Sequence, residues 1–244
     1  MIKRLLDIFI SFMGLVLASP LLLPAIIAVW LGDRHSPFYV APRVGKGGRE
    51  FRMVKLRSMV VNADKNKVDS TSANDPRITK VGHFIRKYKL DEVTQFWNVL
   101  IGDMSLVGPR PNVKRETDLY TPEEQRLLSV RPGVTDMSSI VFSDEGDILK
   151  NSNDPNLDYN QLIRPWKSRL SLFCIDHASP ALDIKLVFLT AAAILKRKRA
   201  LNGINAILRG FGANDELIRA ALRVDPLVPT PPPGAKEVVT SREA

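Results

Sequence analysis

Residues 5–32, LLDIFISFMGLVLASPLLLPAIIAVWLG, are apolar apart from Asp7 and a few small residues, and how they meet a bilayer decides the architecture of the chain. About 20 apolar residues suffice to cross a membrane as a helix, so the run is long enough. Two features bear on its path. Ser19-Pro20 and Pro24 fall near its middle, where each proline removes a helical hydrogen bond and crowds the preceding turn. Basic residues flank both ends, Lys3 and Arg4 before and Arg34, Arg43, Lys46 and Arg49 after, a bias that favours both ends on the cytoplasmic side. A helix-break-helix that dips into one leaflet and returns satisfies both observations. A straight span stays open as the stronger rival. A cleaved signal peptide is the weaker one, because the run closes on Val29-Trp30-Leu31-Gly32 without a clear small-x-small site.

The net charge of +9 and pI near 9.8 point to an anionic partner: nucleic acid, an acidic membrane surface or a phosphorylated substrate. Aromatic residues make up only 7% of the chain, few for the stacking platforms a nucleic-acid binder needs, so no nucleic-acid partner is expected. Cys174 is the single cysteine, which leaves no intrachain disulfide and fits a reducing compartment. There is no Walker loop, dinucleotide fingerprint or Cys/His metal cluster, and His35, His83 and His177 are scattered.

Beyond the apolar run, Phe38-Tyr39-Val40 leads through Gly45-Lys46-Gly47-Gly48 into residues 50–61 as a hairpin. The two-residue period puts Phe51, Met53, Lys55 and Arg57 on one face. Residues 62–77 are polar and predict a mobile loop. Helical spacing predicts a helix over 80–89, carrying Val81, Phe84, Ile85 and Tyr88, and another carrying Val93, Phe96, Trp97 and Leu100 that ends near Gly102. Thr121-Pro122-Glu123-Glu124 is a helix start with a capping box. The Arg131-Pro132-Gly133 turn leads to a short strand, and 143–160 form a second polar, acidic loop. Residues 181–195 predict an apolar helix too short to span, and Lys196-Arg197-Lys198-Arg199 beside it suits an anionic leaflet or a solvated face. Residues 203–223 predict one amphipathic helix, and the Pro-rich stretch 226–234 an extended or disordered tail.

The fold class is therefore α+β: a re-entrant membrane segment, a small globular domain of helices with a short β-hairpin, and interfacial amphipathic helices. Its parts are an anchor over 1–33, a cytoplasmic domain over 34–199 and a C-terminal helix with a Pro-rich tail over 200–244.

Asp91 and Glu92 stand side by side ahead of an apolar run. Asp91 has the position of an N-cap, with Glu92 an ordinary first-turn acid. The same placement keeps a carboxylate ionised, as a nucleophile or a ligand for a hard cation such as Mg²⁺ requires. Arg86 precedes the pair. Downstream, Pro109 and Pro111 fix the backbone around Arg110, whose guanidinium can grip a phosphate bidentately.

Several motifs, in order, resemble the bacterial sugar transferases, the monotopic phosphoglycosyl transferases. They are the apolar segment broken at Ser19-Pro20, the strand 54–59, Asp75-Pro76-Arg77-Ile78-Thr79-Lys80, Arg86, Leu90-Asp91-Glu92, Gln95-x-x-Asn98-Val99-Leu100, Gly102-Asp103-Met104-Ser105, Val107-Gly108-Pro109-Arg110-Pro111 and Arg131-Pro132-Gly133-Val134-Thr135. The likeness covers roughly residues 1–198. It implies transfer of a sugar-1-phosphate from a UDP-sugar to polyprenyl phosphate, with release of UMP, at the first membrane step of a surface glycan such as O-antigen, capsule, exopolysaccharide or a glycoprotein glycan. It implies Asp91 as nucleophile, through a covalent phosphosugar intermediate, and Glu92 as its support, with Mg²⁺ held by Asp91 and Glu92. By the same likeness Arg86 and Arg110, flanked by Pro109 and Pro111, bind the phosphates or nucleotide, with Lys55, Arg57 and Arg131 as further cations of the pocket. The implied location is the inner membrane of a bacterium, in contact with membrane lipid, catalytic domain on the cytoplasmic face. The oligomeric state is left open, a homodimer among the options.

The chain departs from that pattern after Thr135, at Asp136-Met137-Ser138-Ser139-Ile140, and again at Lys167-Ser168-Arg169-Leu170, where an acid often stands; Asp144 or Glu145 are candidates to substitute. A rival reading is a non-catalytic membrane-bound scaffold whose basic surface recruits acidic partners.

Overall fold

Helix α1 (Ile2–Asp33) runs as one helix through both prolines in the computed structural model, which describes residues 2–63 and 75–241. The interruption expected at Ser19-Pro20 does not end the helix, and the reason is local. Pro20 has no N–H for the carbonyl of Val16, and the Ser19 hydroxyl donates to that carbonyl instead at 2.7 Å.

Both ends of α1 are fastened to the same globular body. At the start, Lys3 donates to the Val107 carbonyl (3.1 Å) and pairs with Asp183 (2.6 Å), while Arg4 donates to the carbonyls of Val99 and Leu100. Asp7 is buried and accepts from the Ser105 hydroxyl (2.9 Å) and the Leu106 N–H (3.1 Å). At the far end Asp33 takes both arms of Arg57, at 2.6 and 2.7 Å. Between them Leu22, Ala25 and Val29 pack with Leu56, Ile85 and Leu90. The remaining faces leave Phe9, Phe12, Leu17, Leu21, Ile27 and Trp30 exposed.

Strands β1 (Phe38–Val44) and β2 (Glu50–Leu56) form the expected antiparallel hairpin, with Tyr39 opposite Lys55 and Arg43 opposite Phe51. A second, two-stranded parallel sheet joins β3 (Ser105–Val107) to β4 (Gly133–Thr135). The strands run on into a close backbone contact: a Cβ on Gly133 would lie 2.1 Å from the Gly108 nitrogen.

Between the sheets come α2 (Lys80–Lys87), α3 (Leu90–Val93) and α4 (Phe96–Ile101); Thr79 caps α2 by accepting from the Gly82 N–H, and Gly102 ends α4 at φ 100°. Helix α5 (Lys114–Thr117) and a 3-10 turn over Glu124–Ser129 precede β4. Then follow α6 (Met137–Val141), α7 (Glu145–Ile148), α8 (Pro155–Asp158), a π-helical turn over Tyr159–Ile163, α9 (Arg164–Asp176), α10 (Pro180–Leu195), α11 (Arg197–Gly210) and α12 (Asp215–Leu222). One core gathers Val99, Met104, Met137, Ile163, Leu170 and Leu186 with Ile204, Leu208 and Leu217.

Two expectations are corrected and a third is narrowed. The stretch 143–160 holds short helices, the second of them (α8) started by the Asp154 cap, instead of a continuous loop. Residues 203–223 make two helices, because Gly212 turns the chain at φ 73° and Asn214 starts α12 by accepting from the Leu217 N–H at 2.8 Å. The Pro-rich tail is extended, and it is docked: Thr121 donates to the Pro233 carbonyl, Arg169 to that of Pro231, and the Thr230 N–H to that of Gln161. Most of the loop expected over 62–77 lies outside the described residues.

Candidate active site

The site is assembled by side chains that tie α3 and α4 to the edge of β2. Asn98, fully buried, accepts from the Val54 N–H (2.9 Å) and donates to the Arg52 carbonyl (2.7 Å). The Thr94 hydroxyl lies 3.3 Å from the Val54 carbonyl and 3.0 Å from that of Asp91. Between α2 and α3 the chain turns through Lys89, in the left-handed region at φ 56° where a non-glycine residue is uncommon. Asp91 and Glu92 thereby enter the same cavity as Lys55 of β2.

The two carboxylates differ in environment. Asp91 is buried and its Oδ1 has no hydrogen-bond partner among the described residues. Burial first, and then the Glu92 charge, raise its pKa, with Lys55, Lys89 and Arg86 opposing. Glu92 lies 3.2 Å from Arg110 and 3.9 Å from Lys89. Burial works to raise its pKa, but Arg110, Lys89 and Lys55 outweigh it and hold the carboxyl down at about 2. Asp91 is not the N-cap the sequence suggests: Lys89 occupies that position and no side chain caps the turn. Nor does its position favour ionisation; desolvation works against it.

Cations surround the pair. Burial, then Arg110, lower the Lys55 ammonium to about 8, with Asp91 and Glu92 pulling the other way. Arg86 is likewise lowered by burial, opposed by Asp91 and Asp75. Neither side chain has a hydrogen-bond or ion-pair partner among the described residues, so both remain available to an anion. The cavity they share measures about 1060 Å³. Two adjacent carboxylates, one with an unpartnered buried oxygen, are a donor set that suits a hard divalent cation completed by water and substrate oxygens. No third His, Cys, Asp or Glu joins them in a ligand cluster among the described residues.

Residues 1–197 match the bacterial sugar transferase family. The chain belongs to that family. Similar proteins include the UDP-N-acetylgalactosamine-undecaprenyl-phosphate N-acetylgalactosaminephosphotransferase of Aeromonas hydrophila, 34% identical over 215 residues, or 87% of this chain and 45% of the relative. The UDP-glucose:undecaprenyl-phosphate glucose-1-phosphate transferase of Klebsiella pneumoniae is 37% identical over 77% of this chain and 39% of its own length. The undecaprenyl-phosphate galactose phosphotransferase of Salmonella typhimurium is 35% identical over 82% and 41% respectively. The chain spans less than half the length of each of these relatives.

Within this family member the structure brings Asp91, Glu92, Lys55, Arg86, Arg110 and Pro111 to one cavity. Pro109 stands behind it, its carbonyl accepting from the Gly133 N–H at 2.8 Å. Arg57 reaches the cavity wall, but its guanidinium is spent on Asp33 and the Ser36 carbonyl, where it anchors α1. Arg131 is outside the lining and donates to the Gly102 carbonyl. Of the two candidate acids, Glu145 pairs with Lys167 on the cavity wall, and Asp144 pairs with Arg197 and Arg223.

Sequence reasoning missed Tyr39, Arg43, Tyr159 and Lys167, which also line the cavity. Tyr39 and Arg43 were within reach of the two-residue period, since they face β2 residues on the side of Lys55. Tyr159 and Lys167 come from the divergent part of the chain, where no motif marks them.

Proposed function

We propose that this sugar transferase moves a sugar-1-phosphate from a UDP-sugar to polyprenyl phosphate through an aspartyl-phosphosugar intermediate. The observation that carries the reading is the buried Asp91 carboxylate with an unpartnered oxygen, set among Lys55, Arg86 and Arg110 in one cavity. In the first step an Asp91 oxygen attacks the β-phosphorus, the bond to the UMP oxygen breaks, and UMP leaves with the bonding electrons. In the second, a phosphate oxygen of the lipid attacks the same phosphorus and the Asp91 carboxylate is released. Desolvation leaves the attacking oxygen unshielded by water. Lys55, Arg86 and Arg110 counter the charge of the diphosphate. Glu92, kept ionised by Arg110, orients that guanidinium. Asp91 and Glu92 would hold Mg²⁺, which when bound neutralises phosphate charge.

The acceptor is a lipid, and the exposed apolar faces of α1 support a location at a bilayer. Because Lys3, Arg4 and Asp7 at one end and Asp33 at the other bind the same body, both ends belong on one side of the membrane. With the basic flanks, this favours a re-entrant or in-plane helix on the cytoplasmic face of the inner membrane. The relatives' names carry N-acetylgalactosamine, glucose and galactose. The test follows from that spread: incubate the purified chain with each of these UDP-sugars and polyprenyl phosphate, and measure UMP. One donor should give Mg²⁺-dependent UMP and a lipid product, both abolished by EDTA. Arg110→Ala should lower kcat/KM at least about tenfold. No UMP with any donor would overturn the reading.

A further inference from the structure

Asp144 is where the family-matched part of the chain meets the part beyond it. Its carboxylate lies 3.0 Å from Arg197, at the end of the matched region, and 3.4 Å from Arg223, well past it. Arg223 is placed for this by α12. Leu217, Ile218 and Ala221 bury that helix in the core, and it ends on Arg223 in the left-handed conformation at φ 55°. The guanidinium then lies over the Phe142 ring, 5.4 Å from its centroid, as well as against Asp144. Asp144 immediately precedes α7, whose first residue, Glu145, pairs with Lys167; the Lys167 ammonium also sits over the Tyr159 ring.

This wall of the cavity is chemically unlike the Asp91 end. Lys167 is neutralised by Glu145, so that pair offers hydrogen-bonding groups beside an aromatic ring with little net charge, whereas Lys55 and Arg86 have no hydrogen-bond or ion-pair partner among the described residues. A neutral polyhydroxylated ring fits the first and a diphosphate the second. We propose that Arg223 is a positioning residue which, by holding Asp144 and Phe142, fixes α7 and the Glu145–Lys167 wall that receives the donor's sugar. The inference rests on the transferase reading above.

The experiment compares Arg223→Ala, Arg223→Lys and Arg219→Ala in the full chain. Arg219 is on the same helix and pairs at the surface with Asp225, away from the cavity. Arg223→Ala should raise the donor KM about three- to fivefold, the scale of one partly exposed ion pair, with kcat held within about twofold. Hydrogen exchange over 143–149 should quicken, Arg223→Lys should restore both readouts, and Arg219→Ala should match the wild type. An unchanged KM, or equal losses of kcat and stability without rescue by lysine, overturns the proposal. Failure of the transferase reading shows separately, as a wild type that turns over no donor. The exchange comparison then decides the clamp alone, and unchanged exchange in Arg223→Ala overturns it.

Discussion

At Asp91, burial and the neighbouring Glu92 work against ionisation while Lys55, Lys89 and Arg86 work for it; at Glu92 three cations outweigh burial. Adjacent acids thus acquire different characters from which partners their positions reach. The sequence marked the pair and its arginines. It did not mark the turn at Lys89, because an αL lysine is a tertiary outcome with no local signature. Glycines carry the sharpest residue-level prediction. A Cβ on Gly133 would stand 2.1 Å from the Gly108 nitrogen and 2.5 Å from its oxygen, and backbone atoms have little room to yield. Gly133→Ala should therefore pry β4 from the Gly108 turn that leads to Arg110, at a cost of roughly 1–3 kcal/mol. Thermal unfolding checks it: a melting temperature unchanged from wild type would show that the turn adapts.

At the scale of elements, the start at Thr121 shows what local pattern conveys and what it omits. The capping box is present, with the Glu124 N–H donating to the Thr121 hydroxyl and the Thr121 N–H to the Glu124 carboxylate, both at 3.1 Å. It opens a 3-10 turn, and Glu124 has a second duty that no spacing reveals. Fully buried, it receives Arg164 of α9 at 2.5 and 3.0 Å and the Ser168 hydroxyl at 2.7 Å. Arg164→Met would leave that carboxylate without its cation, and a stability loss of about 3–5 kcal/mol is expected. Pairing it with Glu124→Gln should recover much of the loss, since the unmatched charge is gone. A single variant as stable as the double one in denaturant titration would contradict this. The division of α11 from α12 was similarly hidden, although Gly212 and Asn214 supply the signals once the packing is known.

For the whole molecule, the apolar run was legible as one long element suited by length and composition to a membrane, and its attachment was not. By length alone α1 spans about 48 Å at 1.5 Å per residue. Yet Lys3, Arg4, Asp7 and Asp33, the four charged residues of the helix, hold both ends to the body that carries the site. Those contacts join residues far apart in the chain, which periodicity cannot see. The same holds for the docked tail and for Arg223, which reaches Asp144 from behind the cavity wall. The proposed covalent loading of Asp91 with phosphosugar can be tested directly. The chain is incubated with the UDP-sugar it turns over, without lipid acceptor, and analysed by intact-mass and peptide mass spectrometry. The expected result is a sugar-phosphate adduct on Asp91 that disappears when polyprenyl phosphate is added and never forms in Asp91→Asn. Lipid product made by Asp91→Asn at the wild-type rate, or an adduct on another residue, would contradict it.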